Sequence, residues 1–208
     1  MVRIFGYGED ALTLWAMKEQ LGTILEEFKD HTATSDCLVF YRPSFGRSGG
    51  EGSAEFGEFD AIIASRENIY LVESKWDNLS KHRKEKLLLR EEQLTRHKVF
   101  AWYLTHWNKK YSSKWQEFVD DNRLNFIAGK KLPEIQAGKQ CLLSTNLETT
   151  LNKLSDHCRG FSSSDNIKNI LLYFHDCNKT KPPKVDNTNF TLIPIDYSKK
   201  MEGNFIML

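Results

Sequence analysis

GEFDAIIASRENIYLVESKW, residues 57–76, sets an apolar segment on each side of the polar tetrapeptide Ser65-Arg66-Glu67-Asn68. That tetrapeptide is rich in turn formers, so residues 59–64 and 69–75 read as two antiparallel strands of one hairpin. Side chains alternate along a strand, which puts Ile69, Leu71, Glu73 and Lys75 on one face. Two aliphatic residues are followed there by two charges, where a purely structural strand stays apolar. Counting outward from the turn pairs Ala64 with Ile69 and sets Asp60 across from Glu73. Facing carboxylates repel unless something positive lies between them, and a divalent ion with oxygen ligands is the simplest such group. Lys75 then stands beside the ion, able to hold or polarise a water.

Composition bounds what this hairpin can belong to. The chain has 208 residues, 40% apolar and 27% charged, which suits one globular domain with a real core. No apolar run nears the about 20 residues that span a bilayer, and the start MVRIFGYGED lacks the apolar stretch of a signal peptide. Cys37, Cys141, Cys158 and Cys177 are scattered without a CxxC pair, as expected of reduced thiols in a cytoplasmic protein with no membrane contact. The net charge of +1 conceals an asymmetry, since residues 1–60 hold 5 Lys/Arg against 11 Asp/Glu. An acidic first third before a basic remainder suits a protein that meets both a metal ion and a polyanion.

Around the hairpin the periodicity gives a coarse map. Leu14, Met17, Leu21, Ile24, Leu25 and Phe28 recur at helical spacing and predict one amphipathic helix over 9–28. CLVFYRP (37–43) is a short strand stopped by Pro43, and residues 44–58 form a glycine- and serine-rich loop. A long helix is predicted from Ser80 to about Trp107, with Leu87, Leu88, Leu94, Phe100, Ala101 and Leu104 inward. Residues 114–128 and 142–158 read as further helices, and 169–176 and 190–197 as late strands. The order predicts a mixed α/β (α+β) fold, a central mixed sheet flanked by helices, in a single domain over 1–208. Its core spans about 8–108 plus the strands of about 169–197, with a helical elaboration over about 110–160.

Asp60, the hairpin gap and Glu73-Ser74-Lys75 together resemble the signature of the PD-(D/E)XK nuclease superfamily, the restriction-endonuclease-like fold. The chain has a second acid-x-lysine triplet, Glu27-Phe28-Lys29, but it falls in a helical pattern, whereas Glu73-Ser74-Lys75 closes an apolar strand. The resemblance implies a Mg²⁺-dependent DNA endonuclease, Mn²⁺ able to substitute, of restriction, defence or repair type. Asp60, Glu73 and the Ser74 backbone carbonyl would ligate the metal, and Lys75 would orient the attacking water. It also implies a carboxylate early in the first helix, which picks out Glu9, with Glu19 as the competing choice. Gln93 is the analogue of a supporting glutamine on the helix after the lysine. Phe59 stands where the family has a proline, which is not a ligand. A homodimer is implied if both strands of a duplex are cut.

Residues 75–98 hold 8 Lys/Arg against 4 Asp/Glu, and HWNKKYSSKW (106–115) interleaves lysines with Trp107, Tyr111 and Trp115. Such mixing suits phosphate contacts with stacking, making Lys81, Arg83, Arg96, Lys109 and Lys110, with Arg42 and Arg47 beside the glycine-rich loop, candidate DNA contacts. GRSGGEGS lacks the P-loop pattern, so no nucleotide cofactor is expected. His157-Cys158 and His175-Asp176-Cys177 lack zinc-finger spacing. A different class stays open, a nuclease-fold subunit that binds nucleic acid or assembles without cutting.

Overall fold

The computed structural model describes residues 2–45, 57–77, 86–122, 126–127, 130–131, 142–158, 164–185 and 189–208. Arg47, Lys81, Arg83 and Cys141 lie outside the described residues. The central sheet has five strands: β2 (Leu38–Tyr41), β3 (Ala61–Ala64), β4 (Ile69–Trp76), β8 (Ile167–His175) and β10 (Thr191–Asp196). Their order is β10-β8-β4-β3-β2; β2, β3 and β4 pair antiparallel, while β4, β8 and β10 run parallel.

Helices cover both faces, which is why Ala61-Ile62-Ile63-Ala64 is continuously apolar rather than alternating and wholly buried. On one face α1 (Gly8–Glu19) and α2 (Leu21–Glu26) pack against Ala61, Ile63, Tyr70, Val72, Ile170, Leu172 and Phe174. On the other, α3 (Glu91–His106), α4 (Trp115–Asn122) and α5 (Leu142–His157) pack against Ile62, Ala64, Ile69 and Leu71. Each such aliphatic or aromatic side chain contributes about 1.5–3 kcal/mol on burial. The stretch 110–160 therefore supplies core, through Trp115, Phe118, Leu147, Leu151 and Leu154.

Several boundaries differ from the periodic reading. The first helix breaks at Gln20 (φ −114°, ψ 5°); Met17, Leu21, Ile24 and Leu25 are buried as expected, Leu12, Trp15 and Ala16 join them, and Leu14 is only half-buried. The long helix begins at Glu91, where the Arg90 N–H donates to Gln93 Oε1 and the Gln93 N–H donates to the Arg90 carbonyl. Before it, β5 (Lys86–Leu87) pairs with β9 (Lys184–Val185), a long-range partner that local spacing cannot reveal, and Leu88 is exposed. The helix expected to reach 128 stops at Asn122; β6 (Phe126–Ile127) pairs with β7 (Lys130–Lys131) instead. A small sheet that the sequence did not signal joins β1 (Phe5–Tyr7), β12 (Phe205–Met207) and β11 (Met201–Glu202), in that order.

The hairpin has the counted register, Ala64 opposite Ile69 and Ala61 opposite Val72. Its turn is tied to the end of α2. Buried Asp30 accepts hydrogen bonds from Ser65 Oγ (2.6 Å), Tyr70 Oη (2.7 Å) and Asn68 Nδ2 (3.0 Å), and from the Thr32 backbone N–H (3.0 Å). Burial pushes the Asp30 carboxyl upward, but these four donors outweigh it and hold it well below the usual carboxylate range. Such a depressed group stabilises the fold above its unfolded pKa, and that stabilisation fades as pH falls. Asp30→Ala is expected to cost about 2–4 kcal/mol at pH 7, because it strands buried donors. In urea titrations the gap to wild type should hold above about pH 4 and narrow below it.

Candidate functional site

Beyond the end of β3, β4 continues with backbone N–H groups that have no strand on that side. Two carboxylates substitute: Asp60 Oδ2 accepts the Ser74 N–H (2.7 Å), and Glu9 Oε2 accepts the Trp76 N–H (2.9 Å). Glu9 sits in the first turn of α1, where the helix dipole favours an acid. Thr13, one turn on, donates to the Glu9 carbonyl or the Ser74 hydroxyl (both 2.8 Å), seating the helix against the strand. Lys75 Nζ lies 3.6 Å from Glu9 Oε1 and donates to the Ser74 carbonyl. That carbonyl, expected as a metal ligand, is thus occupied by Lys75.

Glu73 is 2% exposed and points toward α3. Its Oε1 accepts from Arg96 (3.1 Å) and lies 3.2 Å from His97 Nε2, and its Oε2 accepts from Gln93 Nε2. Gln93 Oε1 is taken by the Arg90 N–H, which fixes the amide so that its nitrogen faces Glu73. His97 Nδ1 meets Asn169 Oδ1 on β8 at 2.8 Å, and Arg96 also donates to the Glu58 carbonyl. Burial would raise the Glu73 carboxyl, but the His97 hydrogen bond and the His97, Arg96 and Lys75 charges bring it below its ordinary value. Asp60 goes the other way. Burial first, then the neighbouring Glu73 charge, push it up to about 7.

These groups line one cavity of about 470 Å³, with carboxylates from Glu9, Glu58, Asp60, Glu73 and Glu92 and cations from Arg42, Lys75, Arg90 and Arg96. Arg42 leaves β2 with φ +48°, pairing with Asp10 and, at 2.9 Å, with Glu58. Glu19, the alternative helix carboxylate, instead pairs with Lys200 at 2.6 Å and lines no part of this cavity. Asp60, Glu73, Lys75, Glu9, Gln93, Arg42 and Arg96 are therefore brought together. Lys109 and Lys110 are not: they pair with Asp156 (2.8 Å) and Asp121 (3.3 Å). The interleaved Trp107, Tyr111 and Trp115 are buried, so that stretch is core rather than a stacking surface. His97 and Asn169 escaped the sequence reading, although Gln93, Arg96 and His97 stand at i, i+3 and i+4 on one helix face.

Among the described residues no three His, Cys, Asp or Glu side chains form a preassembled metal cage. Mg²⁺ needs only one or two carboxylates, the rest of its shell being water and phosphate. The donor set is hard oxygen throughout, and the Asp60 carboxyl, held up by burial and by Glu73, is what a cation would relieve. The residues fit Mg²⁺ with Asp60 as anchor and Glu9 beside it, while Glu73 can join only by releasing one of its present partners. Cys37, Cys158 and Cys177 form no disulfide among the described residues, and no described helix is long and apolar enough to cross a membrane. No family model, curated protein or solved structure matches the chain.

The raised Asp60 carboxyl has a stability consequence. Its protonated form favours the fold, and that contribution is lost as pH climbs from about 4 through about 7. Asp60→Asn keeps an oxygen for the Ser74 N–H without the charge. In EDTA it should melt higher than wild type at pH 8, and the difference should vanish near pH 4. A wild-type advantage at pH 8 would refute this charge assignment.

Proposed function

We propose that the chain is a Mg²⁺-dependent nuclease of the PD-(D/E)XK type, with a restriction-endonuclease-like core, that hydrolyses phosphodiester bonds in DNA. The observation that carries the reading is the convergence of Asp60, Glu73, Lys75 and Glu9, from two strands and a helix, on one cavity with arginines in its wall. Asp60, Glu9 and, after exchanging a partner, Glu73 would hold the ion, which offsets charge on the phosphate and acidifies a bound water.

The chain's own groups do the rest. Lys75, 15% exposed at its side chain and braced by Glu9 and the Ser74 carbonyl, presents an ammonium that positions the attacking water. Arg42 and Arg96 offer planar donors to the phosphate oxygens. Gln93 and His97 fix the Glu73 carboxylate, so its charge does not wander as the phosphate enters.

One observation favours a second reading. Both oxygens of Glu73 are already bonded, as in a site kept for stability, and this supports a nuclease-fold subunit that binds nucleic acid or assembles without cutting.

Incubation of supercoiled plasmid with Mg²⁺ or Mn²⁺ separates the two. The nuclease reading expects nicked or linear product, abolished by EDTA and reduced about 100-fold or more by Lys75→Ala. DNA binding that weakens with salt, without product on plain, methylated or branched substrates, would establish the non-cutting subunit instead.

A further inference from the structure

Among the described residues the small sheet β1-β12-β11 is covered on one side only. Its inner side carries buried Ile206 (1% exposed) and Gly6, where a Cβ would come within 2.5 Å of the Ala11 side chain. Its outer side carries the facing pairs Phe5 with Met207 and Tyr7 with Phe205. Those four side chains are 46–62% exposed and make up four of the eight exposed large hydrophobic residues among the described ones, while Ile4, whose carbonyl accepts the Leu208 N–H, alternates to the side of Gly6. The Tyr7 ring lies 5.8 Å from that of Phe205 and 5.9 Å from that of buried Trp76, so Tyr7 and Phe205 form one surface across the two strands.

The charge pattern says what kind of partner fits. Across residues 2–7 and 201–208 the only charged side chains are Arg3 and Glu202, both exposed. A neutral patch has no field for a polyanion, which argues against nucleic acid here. Glu202 lies opposite Phe205 on the outer side. Arg3, two residues before Phe5, stands at the diagonally opposite corner. A two-fold axis in the plane between two such faces, perpendicular to that diagonal, sets each arginine over the other copy's glutamate. The exposed apolar area of the four outward side chains is about 400 Å² per copy, about 800 Å² for a pair, the size of a weak, transient contact that the charge pair must help to hold.

We propose that a second copy of the chain packs on this face, sheet to sheet about a two-fold axis, with Arg3 of each copy meeting Glu202 of the other. Such an isologous contact buries the whole patch at once and leaves no open end for further addition. Tyr7 immediately precedes α1 and is two residues from Glu9, so the pair holds two candidate sites in one particle. The pairing rests on the uncovered face alone and stands independently of the nuclease reading.

Sedimentation of the full chain across about 1–100 µM, the range that brackets so small an interface, provides the test. The wild type should pass from one to two chain masses. Phe5→Glu with Met207→Glu, both exposed, should weaken association about 100-fold or more with an unchanged melt of the monomer. Should that variant not fold, the charges decide: Arg3→Glu should weaken pairing about 10-fold, and adding Glu202→Arg should restore it. A wild type that remains a monomer throughout overturns the proposal and leaves the face to a different protein. A dimer indifferent to both sets of changes overturns it too.

Discussion

A carboxylate cut off from water must find its solvation in the protein, and Glu73 finds it in three side chains of a single helix. Ionised and unpaired in the interior it would cost several kcal/mol. Bonded to Gln93, Arg96 and His97, it becomes the rivet between β4 and α3. The rivet extends further, since His97 reaches Asn169 on β8 and Arg96 reaches the Glu58 carbonyl ahead of β3. Through this one charge β4, α3, β8 and the approach to the hairpin are tied together.

Asp60 and Glu73 stand across the same hairpin and yet lean opposite ways. Donors crowd Glu73 and keep it charged; Asp60 has the Ser74 N–H, a burial cost and the Glu73 charge nearby, which push it toward neutrality. Environments that separate two like groups in this manner are how a protein assigns different work to each. Within the cavity Arg96 is held against Glu73 and Lys75 against the Ser74 carbonyl.

The hairpin was legible because its evidence is local: a four-residue turn, alternating side chains and a pairing that can be counted. Glu9 beside the strand end and Gln93 beside Glu73 came from resemblance rather than from spacing, and the structure seats both at the cavity. What could not be read depends on distant partners. The buried face of α1 includes Trp15, whose place is chosen by the sheet and not by the helix alone. The start of α3 is set by β5 pairing with β9 across the chain, and β1 takes its partner from the far end of the sequence. HWNKKYSSKW misled for a related reason, since interleaved lysine and aromatic residues look alike whether the rings face solvent or, as here, the core.

The tie between Asp30 and the turn Ser65–Asn68 lies at the opposite end of the hairpin from the cavity. A one-residue slip of paired strands turns every side chain to the other face. In β4 that would send Glu73 toward α1 and Ser74 toward α3, dismantling the cavity without altering any residue in it. The mutational map of this protein is therefore wider than its chemical one. Changes at Asp30, Ser65 or Asn68 would act on the cavity by displacing the Glu73 carboxylate, and a survey confined to the cavity wall would overlook them.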